Sequence, residues 1–448
     1  MGEDLTVLVW KLINRVVAGI AECRKVGGLI PIRALYTKLT VKEFGYKEPG
    51  FITFASMPTD LEREEWHWKD EPAFLLNVRQ SPEYIHALSE IKRRYQKSDA
   101  EADQTLSTFV QIVVHTAVDP LENEHIVEMS GMLMDDLNGN PVDWSVQVTL
   151  DGIWLEDEEI RLADGTILRR PNASDLELEV RKEELWASNW LNRETGSAIL
   201  EFTQRSVRAV EVQAAIESTL DLLRLFRLGS VLSVGYKARP DSFLRRDIKI
   251  LSWGHWTPYR YALSNSDKAA LEEFLDRLRL VLPPHPSLNP SPFEMRAVDV
   301  AFLRYKDALL QPAAIEGHIT SAITCLEALF LKAKERMELS HRLGQRVAAL
   351  LRLLGFAPMK VYKEVKQAYN VRSTFIHGSL LDGQQQKTAG ELCKTVLDYA
   401  RVSLLVFMQL TGKIEKDALV GKLDNSLLDE EAVGKLKELI GADLVITK

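Results

Sequence analysis

Cysteine is scarce in this 448-residue chain: Cys23, Cys325 and Cys393 lie far apart and form no C-x-x-C pair. That usage excludes a disulfide framework and a zinc site of the usual spacing, and it fits a reducing compartment. Long uninterrupted apolar runs are lacking too. The most apolar N-terminal stretch, LTVLVWKLINRVVAGIAECRK, is broken at helical spacing by Lys11, Arg15 and Glu22, so it reads as an amphipathic helix rather than a signal peptide or a membrane span. There is no G-x-x-x-x-G-K-[ST] loop, no G-x-G-x-x-G after a strand, no H-E-x-x-H and no G-x-S-x-G. The motif-based cases for a P-loop nucleotidase, a dinucleotide enzyme, a zinc protease and an α/β-hydrolase all fall away. No repeat of fixed period is present.

What is present is the composition of an ordinary folded protein, 46% hydrophobic and 27% charged, with enough residues for two or three domains. The net charge of −8 argues against coating nucleic acid by bulk electrostatics. The charge is unevenly spread, however. Residues 296–378 carry thirteen Lys/Arg against seven Asp/Glu, a net of +6, whereas residues 1–295 carry −12 and residues 379–448 carry −2.

The clearest boundary is LPPHPSLNPSPFE, Leu282 to Glu294, where five prolines in thirteen residues can neither continue a helix nor pair inside a sheet. Before it the sequence is mixed. STFVQIVVHTAV, DWSVQVTLDGIWL, EIRLADGTILRRP and SVLSVGYKAR are rich in β-branched residues and read as strands of an antiparallel sheet, punctuated by Asn138-Gly139 and Asp164-Gly165. SPEYIHALSEIKRRYQK, RAVEVQAAIESTLDLLRLFRLG and NSDKAALEEFLDRLRLVL read as helices. After the linker nearly everything is helical. Pro312, Gly355, Gly378 and Gly412 mark stops, Ser340 is a candidate N-cap and Pro358 a helix opener. The expected architecture is multidomain: an α+β region over 1–282 with a subdivision near 96–104, a Pro-rich linker over 283–294, a helical bundle over 295–412, and a polar tail over 413–448 with one short helix at DEEAVGKLKELI.

Within the basic segment, YNVRSTFIHGSLL (Tyr369 to Leu381) places Arg372 and Ser373 ahead of His377 and Gly378. A histidine in the last turn of a helix faces the negative end of the helix dipole, which suits either proton exchange or plain capping. Arg-x4-His is itself a weak signal, since Arg336-x4-His341 and Arg279-x5-His285 occur in the same chain. Two further histidines lie between tryptophans, in WHW (Trp66 to Trp68) and WGHW (Trp253 to Trp256). Such surroundings stack a base in some proteins and form a buried aromatic cluster in more of them.

The combination of CLEALFL, RVAALL and YNVRSTFIHG in one helical region resembles the ApeA-like branch of the HEPN superfamily, over residues 295 to 412. The resemblance implies a HEPN-like bundle of four or five helices, usually dimeric, and a metal-independent ribonuclease of toxin or antiphage systems, with no cofactor and no metal. By position it assigns Arg372 and His377 to the catalytic pair and Ser373 to the polar residue after the arginine. Glu327, Tyr369 and Gly378 become supporting residues, and Arg346 a packing or interface residue. The implied partner is RNA, transfer RNA included, in a cytoplasmic homodimer or larger oligomer with no membrane attachment, and an unidentified trigger or regulator would bind the N-terminal region.

Such chemistry asks little of a protein, because RNA brings its own nucleophile, the ribose 2′-hydroxyl. A guanidinium forks onto the phosphate and an imidazole moves protons. Positions five apart on a straight helix differ by about 140° in direction and about 7.5 Å along the axis. A helix break at His377, a second chain across a two-fold axis, or both are therefore expected. The competing readings are a non-catalytic nucleotide- or nucleic-acid-binding module and a helical protein-interaction domain.

Overall fold

A computed structural model of the chain describes residues 4–47, 51–117, 123–181, 196–242, 247–251, 258–282, 295–378, 383–441 and 444–447. Residues 283–294 of the Pro-rich linker and Trp253 to Trp256 of WGHW lie outside the described residues. The coarse expectation holds: an N-terminal mixed region with antiparallel sheets precedes a C-terminal helical region.

The chain opens with α1 (Leu5–Lys25), whose Leu5, Leu8, Val9, Leu12, Ile13, Val16 and Ile20 form one buried stripe at helical spacing. Two long strands follow, β1 (Leu29–Lys47) and β2 (Phe51–Trp68), antiparallel from Leu29↔Trp68 to Lys47↔Phe51 with a bulge between Val41 and Glu43. The sequence pattern did not reveal this ribbon. Four helices then close over α1: α2 (Glu71–Arg79), α3 (Pro82–Tyr95), α4 (Asp99–Thr116) and α5 (Asn123–Asn138).

STFVQIVVHTAV is not a strand. Its residues 107–116 lie in α4, because Ala102, Leu106, Phe109, Val110, Val113 and Val114 recur at three- and four-residue spacing toward one core, and burial there outweighs the β-preference of its valines. A capping box between Ser98 and Glu101 starts that helix, so 96–104 is the joint of a helical hairpin within one core rather than a division. Asn138-Gly139 likewise ends α5 instead of turning a hairpin: Gly139 has φ +69°, and the Asn140 N–H donates to Asp135 O at 2.9 Å.

The second core begins at β3 (Val142–Asp151) and continues through β4 (Ile153–Leu155), β5 (Glu159–Arg161), β6 (Ile167–Arg169), α6 (Ala173–Leu176), β7 (Leu178–Arg181), β8 (Ala198–Ser206), α7 (Ala209–Phe226), β9 (Leu232–Pro240), β10 (Ile248–Leu251), β11 (Tyr261–Leu263) and α8 (Lys268–Leu278). Six strands form the main sheet in the order β10-β9-β3-β8-β6-β5, antiparallel throughout, while β4 and β11 pair in parallel. β3 alternates strictly, with Val142, Trp144, Val146, Val148 and Leu150 facing inward. The ribbon is tied to this part of the chain at two places. β7 joins it as a third strand, pairing with Tyr36 to Leu39, and Tyr46 Oη donates to Ser197 O at 2.9 Å while accepting the Leu155 N–H of β4 at 3.1 Å.

Among the described residues seven helices follow: α9 (Ala297–Leu310), α10 (Ile315–Phe330), α11 (Leu339–Leu353), α12 (Pro358–Ile376), α13 (Gly383–Leu410), α14 (Lys416–Asn425) and α15 (Glu430–Ile440). Ser340 lies inside α11, whose N-cap is Glu338 at φ +55°. α10 stops at Phe330, short of LKAKER, because side chains from elsewhere take its last carbonyls: Arg346 Nη1 donates to Phe330 O at 2.8 Å, and Lys416 Nζ donates to Ala328 O at 3.1 Å and Leu331 O at 2.6 Å. The residues after Gly412 are no polar tail. They hold two helices, and Leu419, Leu423, Leu436 and Ile440 enter the same core as the bundle.

That core also joins the sheet to the bundle. The last turn of α7 offers four carbonyls: Leu223 O accepts from Tyr261 Oη at 2.7 Å, Arg224 O from Tyr305 Oη at 3.0 Å, and Leu225 O and Phe226 O from Arg401 Nη1 at 2.9 and 3.1 Å. Thr447 Oγ1 also donates to Phe226 O. One helix end is thereby capped from β11, α9, α13 and the C-terminal segment. The change of core falls between Asn138 and Val142, away from the proline-rich composition shift. Among the described residues no helix is long and apolar enough to cross a membrane.

Candidate functional site

α12 presents Val361, Val365, Ala368 and Val371 to the core. Arg372 continues that stripe, four residues after Ala368, and so turns toward α10 rather than toward solvent. There its Nη2 lies 3.0 Å from Glu327 Oε2, with the two side chains 23% and 16% exposed. The guanidinium carbon sits 5.4 Å from the centre of the Tyr369 ring, a cation–π placement. Arg372 Nε is buried and has no hydrogen-bond partner, so the guanidinium keeps one donor uncommitted.

Burial raises the pKa of the Glu327 carboxyl, and the charge of Arg372 only partly reverses this. Tyr369 is raised as well, by burial and then by the neighbouring Glu327 charge. The sequence segment CLEALFL and the segment YNVRSTFIHG thus meet as a carboxylate, a guanidinium and a phenol in one half-buried cluster.

His377 lies apart from that cluster. It is exposed at the C-cap of α12, and its N–H donates to Ser373 O at 3.1 Å. Gly378 follows at φ +76° and donates to Phe375 O at 3.0 Å, a left-handed stop that a residue with Cβ adopts only under strain. The expected break is present, yet it falls after the turn that separates the two residues. α12 stays helical through Ile376, which leaves the arginine and histidine about 140° and about 7.5 Å apart. Within one chain, therefore, the break does not bring Arg372 and His377 together. Ser373 lies between them, half-buried. Phe375 and Ile376, apolar as they are, stand 43% and 55% exposed beside the histidine.

Arg346 serves packing. Its buried guanidinium donates to Glu335 at 2.8 and 2.7 Å, to Asp424 at 2.7 and 2.9 Å, and to Phe330 O, tying α11 to α14 and to the end of α10. Hydrogen bonds from Arg346 pull the Glu335 carboxyl down to about 2. The decoy His341 pairs with Tyr362 Oη at 2.8 Å, while Arg336 donates to the backbone oxygens of Ala333 and Glu335, so these two do not meet.

In WHW the aromatic residues divide their roles. Trp68 packs against Phe74 with ring centres 4.8 Å apart, Trp66 lies under the Arg24 guanidinium at 4.5 Å, and His67 is exposed. Among the described residues no three His, Cys, Asp or Glu side chains group as metal ligands. No protein-family model, curated protein or solved structure matches this chain.

Proposed function

We propose that the helical region is a HEPN-type, metal-independent endoribonuclease module, acting in the cytoplasm as a homodimer in a toxin or antiphage role. The observation that carries this reading is the state of Arg372: a guanidinium held by Glu327 and Tyr369, with a buried donor left uncommitted, in the one basic segment of an acidic chain. A phosphate oxygen is the acceptor such a donor fits best. Because the helix separates Arg372 from His377, the working site is composite, with the arginine of one protomer opposing the histidine of the other across a two-fold axis. The exposed pair Phe375 and Ile376 supplies apolar surface for that contact.

In this scheme the ribose 2′-oxygen attacks phosphorus as its proton passes to a base, the P–O5′ bond breaks, and the 5′-oxygen takes a proton as it leaves. The products are a 2′,3′-cyclic phosphate and a free 5′-hydroxyl. His377 moves a proton, Arg372 stabilises the charge gathering on the phosphoryl oxygens, and Ser373 steadies the phosphate. The mixed N-terminal region would receive the trigger.

A second reading is favoured by the same ion pair: in a helical interaction domain, Arg372 would tie α12 to α10 and bind nothing. Purified protein incubated with total RNA and transfer RNA in chelator, beside Arg372→Ala and His377→Ala, separates the two. Cleavage by the parent alone with cyclic phosphate ends supports the nuclease. Equal cutting by all three assigns the activity elsewhere.

A further inference from the structure

At the base of the ribbon, far along the chain from the bundle site, three hydrogen-bond donors are buried with no acceptor: Nε and Nη2 of Arg24 and Nε1 of Trp68. Arg24 belongs to the last turn of α1, and its guanidinium covers the Trp66 ring at 4.5 Å. Trp66 and Trp68 are two apart on β2, opposite Pro31 and Leu29, and so share one face of the ribbon.

The identity of the idle nitrogens is informative. Nε–H and one Nη–H form the side edge of a guanidinium, the fork that matches two oxygens of a carboxylate or phosphate. Each buried donor without an acceptor costs about 1–3 kcal/mol. Two of the three belong to one guanidinium, and the third belongs to the residue two along the strand from the ring that this guanidinium covers, so the group has donors to offer an acceptor from outside. The group lies one side chain below the surface, since Arg24 is half-buried and Trp66 is 38% exposed.

We propose that the base of the ribbon is a receptor for an oxyanion, a carboxylate or phosphate group of a small ligand, gripped side-on by Arg24 and capped by the Trp68 indole N–H. The site does not depend on the nuclease reading. It lies in the N-terminal core, and an occupant would brace α1 against the ribbon whose far end is tied to Ser197 and β4.

The test is calorimetric titration of the full-length protein in Tris chloride with inorganic phosphate in one arm and acetate in the other. Arg24→Lys keeps the charge and loses the fork; Trp68→Phe keeps the ring and loses the N–H. Saturable binding is expected in at least one arm, and that arm identifies the source of the oxyanion. Each variant should bind about tenfold or more weakly with unchanged far-UV circular dichroism. Absence of saturable heat in both arms up to about 10 mM, or undiminished binding by Arg24→Lys, would overturn the proposal and leave buried water as the acceptor.

Discussion

Arg372 of α12 and Glu327 of α10, forty-five positions apart in sequence, form an ion pair of 3.0 Å at which both side chains are largely withdrawn from water. The pair decides how available the guanidinium is to any ligand. It also gives the carboxylate a consequence that can be measured without knowing the substrate.

Burial holds the folded-state pKa of Glu327 above its ordinary 4.5, so the folded chain binds that proton more tightly than the unfolded chain. Its contribution to stability is full below the ordinary value and is lost as pH rises through the folded one. Glu327→Gln does not titrate and keeps an oxygen for Arg372. It should therefore gain on the parent as pH rises from 4.5 upward, with a difference at neutral pH of about 1 kcal/mol or less in either direction. Urea denaturation of both proteins across pH checks this; parallel curves would remove the argument.

Arg346 behaves in the opposite sense. Its partner Glu335 is depressed to about 2, so the stabilisation is present above 4.5 and is lost as pH falls toward 2. Arg346→Met leaves Glu335 with Arg342 alone and Asp424 with Lys332 alone, and should lower stability by about 3 kcal/mol at pH 7. Its deficit should shrink in acid, as the parent loses what the variant already lacks. Acid unfolding followed by circular dichroism gives both quantities.

Gly378 closes α12 at φ +76° with open space around it. Alanine meets no steric obstacle there, only the left-handed backbone, so Gly378→Ala should cost about 1 kcal/mol. Any further loss of RNA cleavage at full folding would report displacement of His377.

The composite site makes a demand that a one-chain site does not. Arg372→Ala and His377→Ala dimers, each inactive alone, should regain cleavage when unfolded together and refolded. Half of the dimers are then mixed, and each mixed dimer holds one intact arginine–histidine pair, roughly a quarter of parental activity. No recovery, with exchange verified by mass, would place both residues in one chain's site and sink the two-fold arrangement.

Much of the secondary structure was legible because hydrophobic spacing is a local property. α1, α3, α7, α8, α12 and α13 follow from apolar stripes and their stops, and the Asp164-Gly165 hairpin follows from its turn. α4 departs from the expected strand because its valines suggest a strand by type while their positions suggest a helix. The ribbon has no clear signature in the sequence because β2 is mostly exposed, and β1, whose burial alternates from Ile30 to Tyr36, puts Pro31 and Leu35 on its exposed face. The end of α10 was set from outside, by Arg346 and Lys416.

The candidate site divides along the same line. By itself the sequence determined that Arg372 and His377 lie on one helix, five positions apart, with a glycine behind them, and helical geometry then requires that they diverge. Only the tertiary structure decided that Arg372 turns inward to Glu327 while His377 stands in the open, that Arg346 belongs to packing, and that three donors at the ribbon base lack an acceptor. Those outcomes depend on which side chains from distant segments arrive at the same place, and periodicity along one segment contains no information about that arrival.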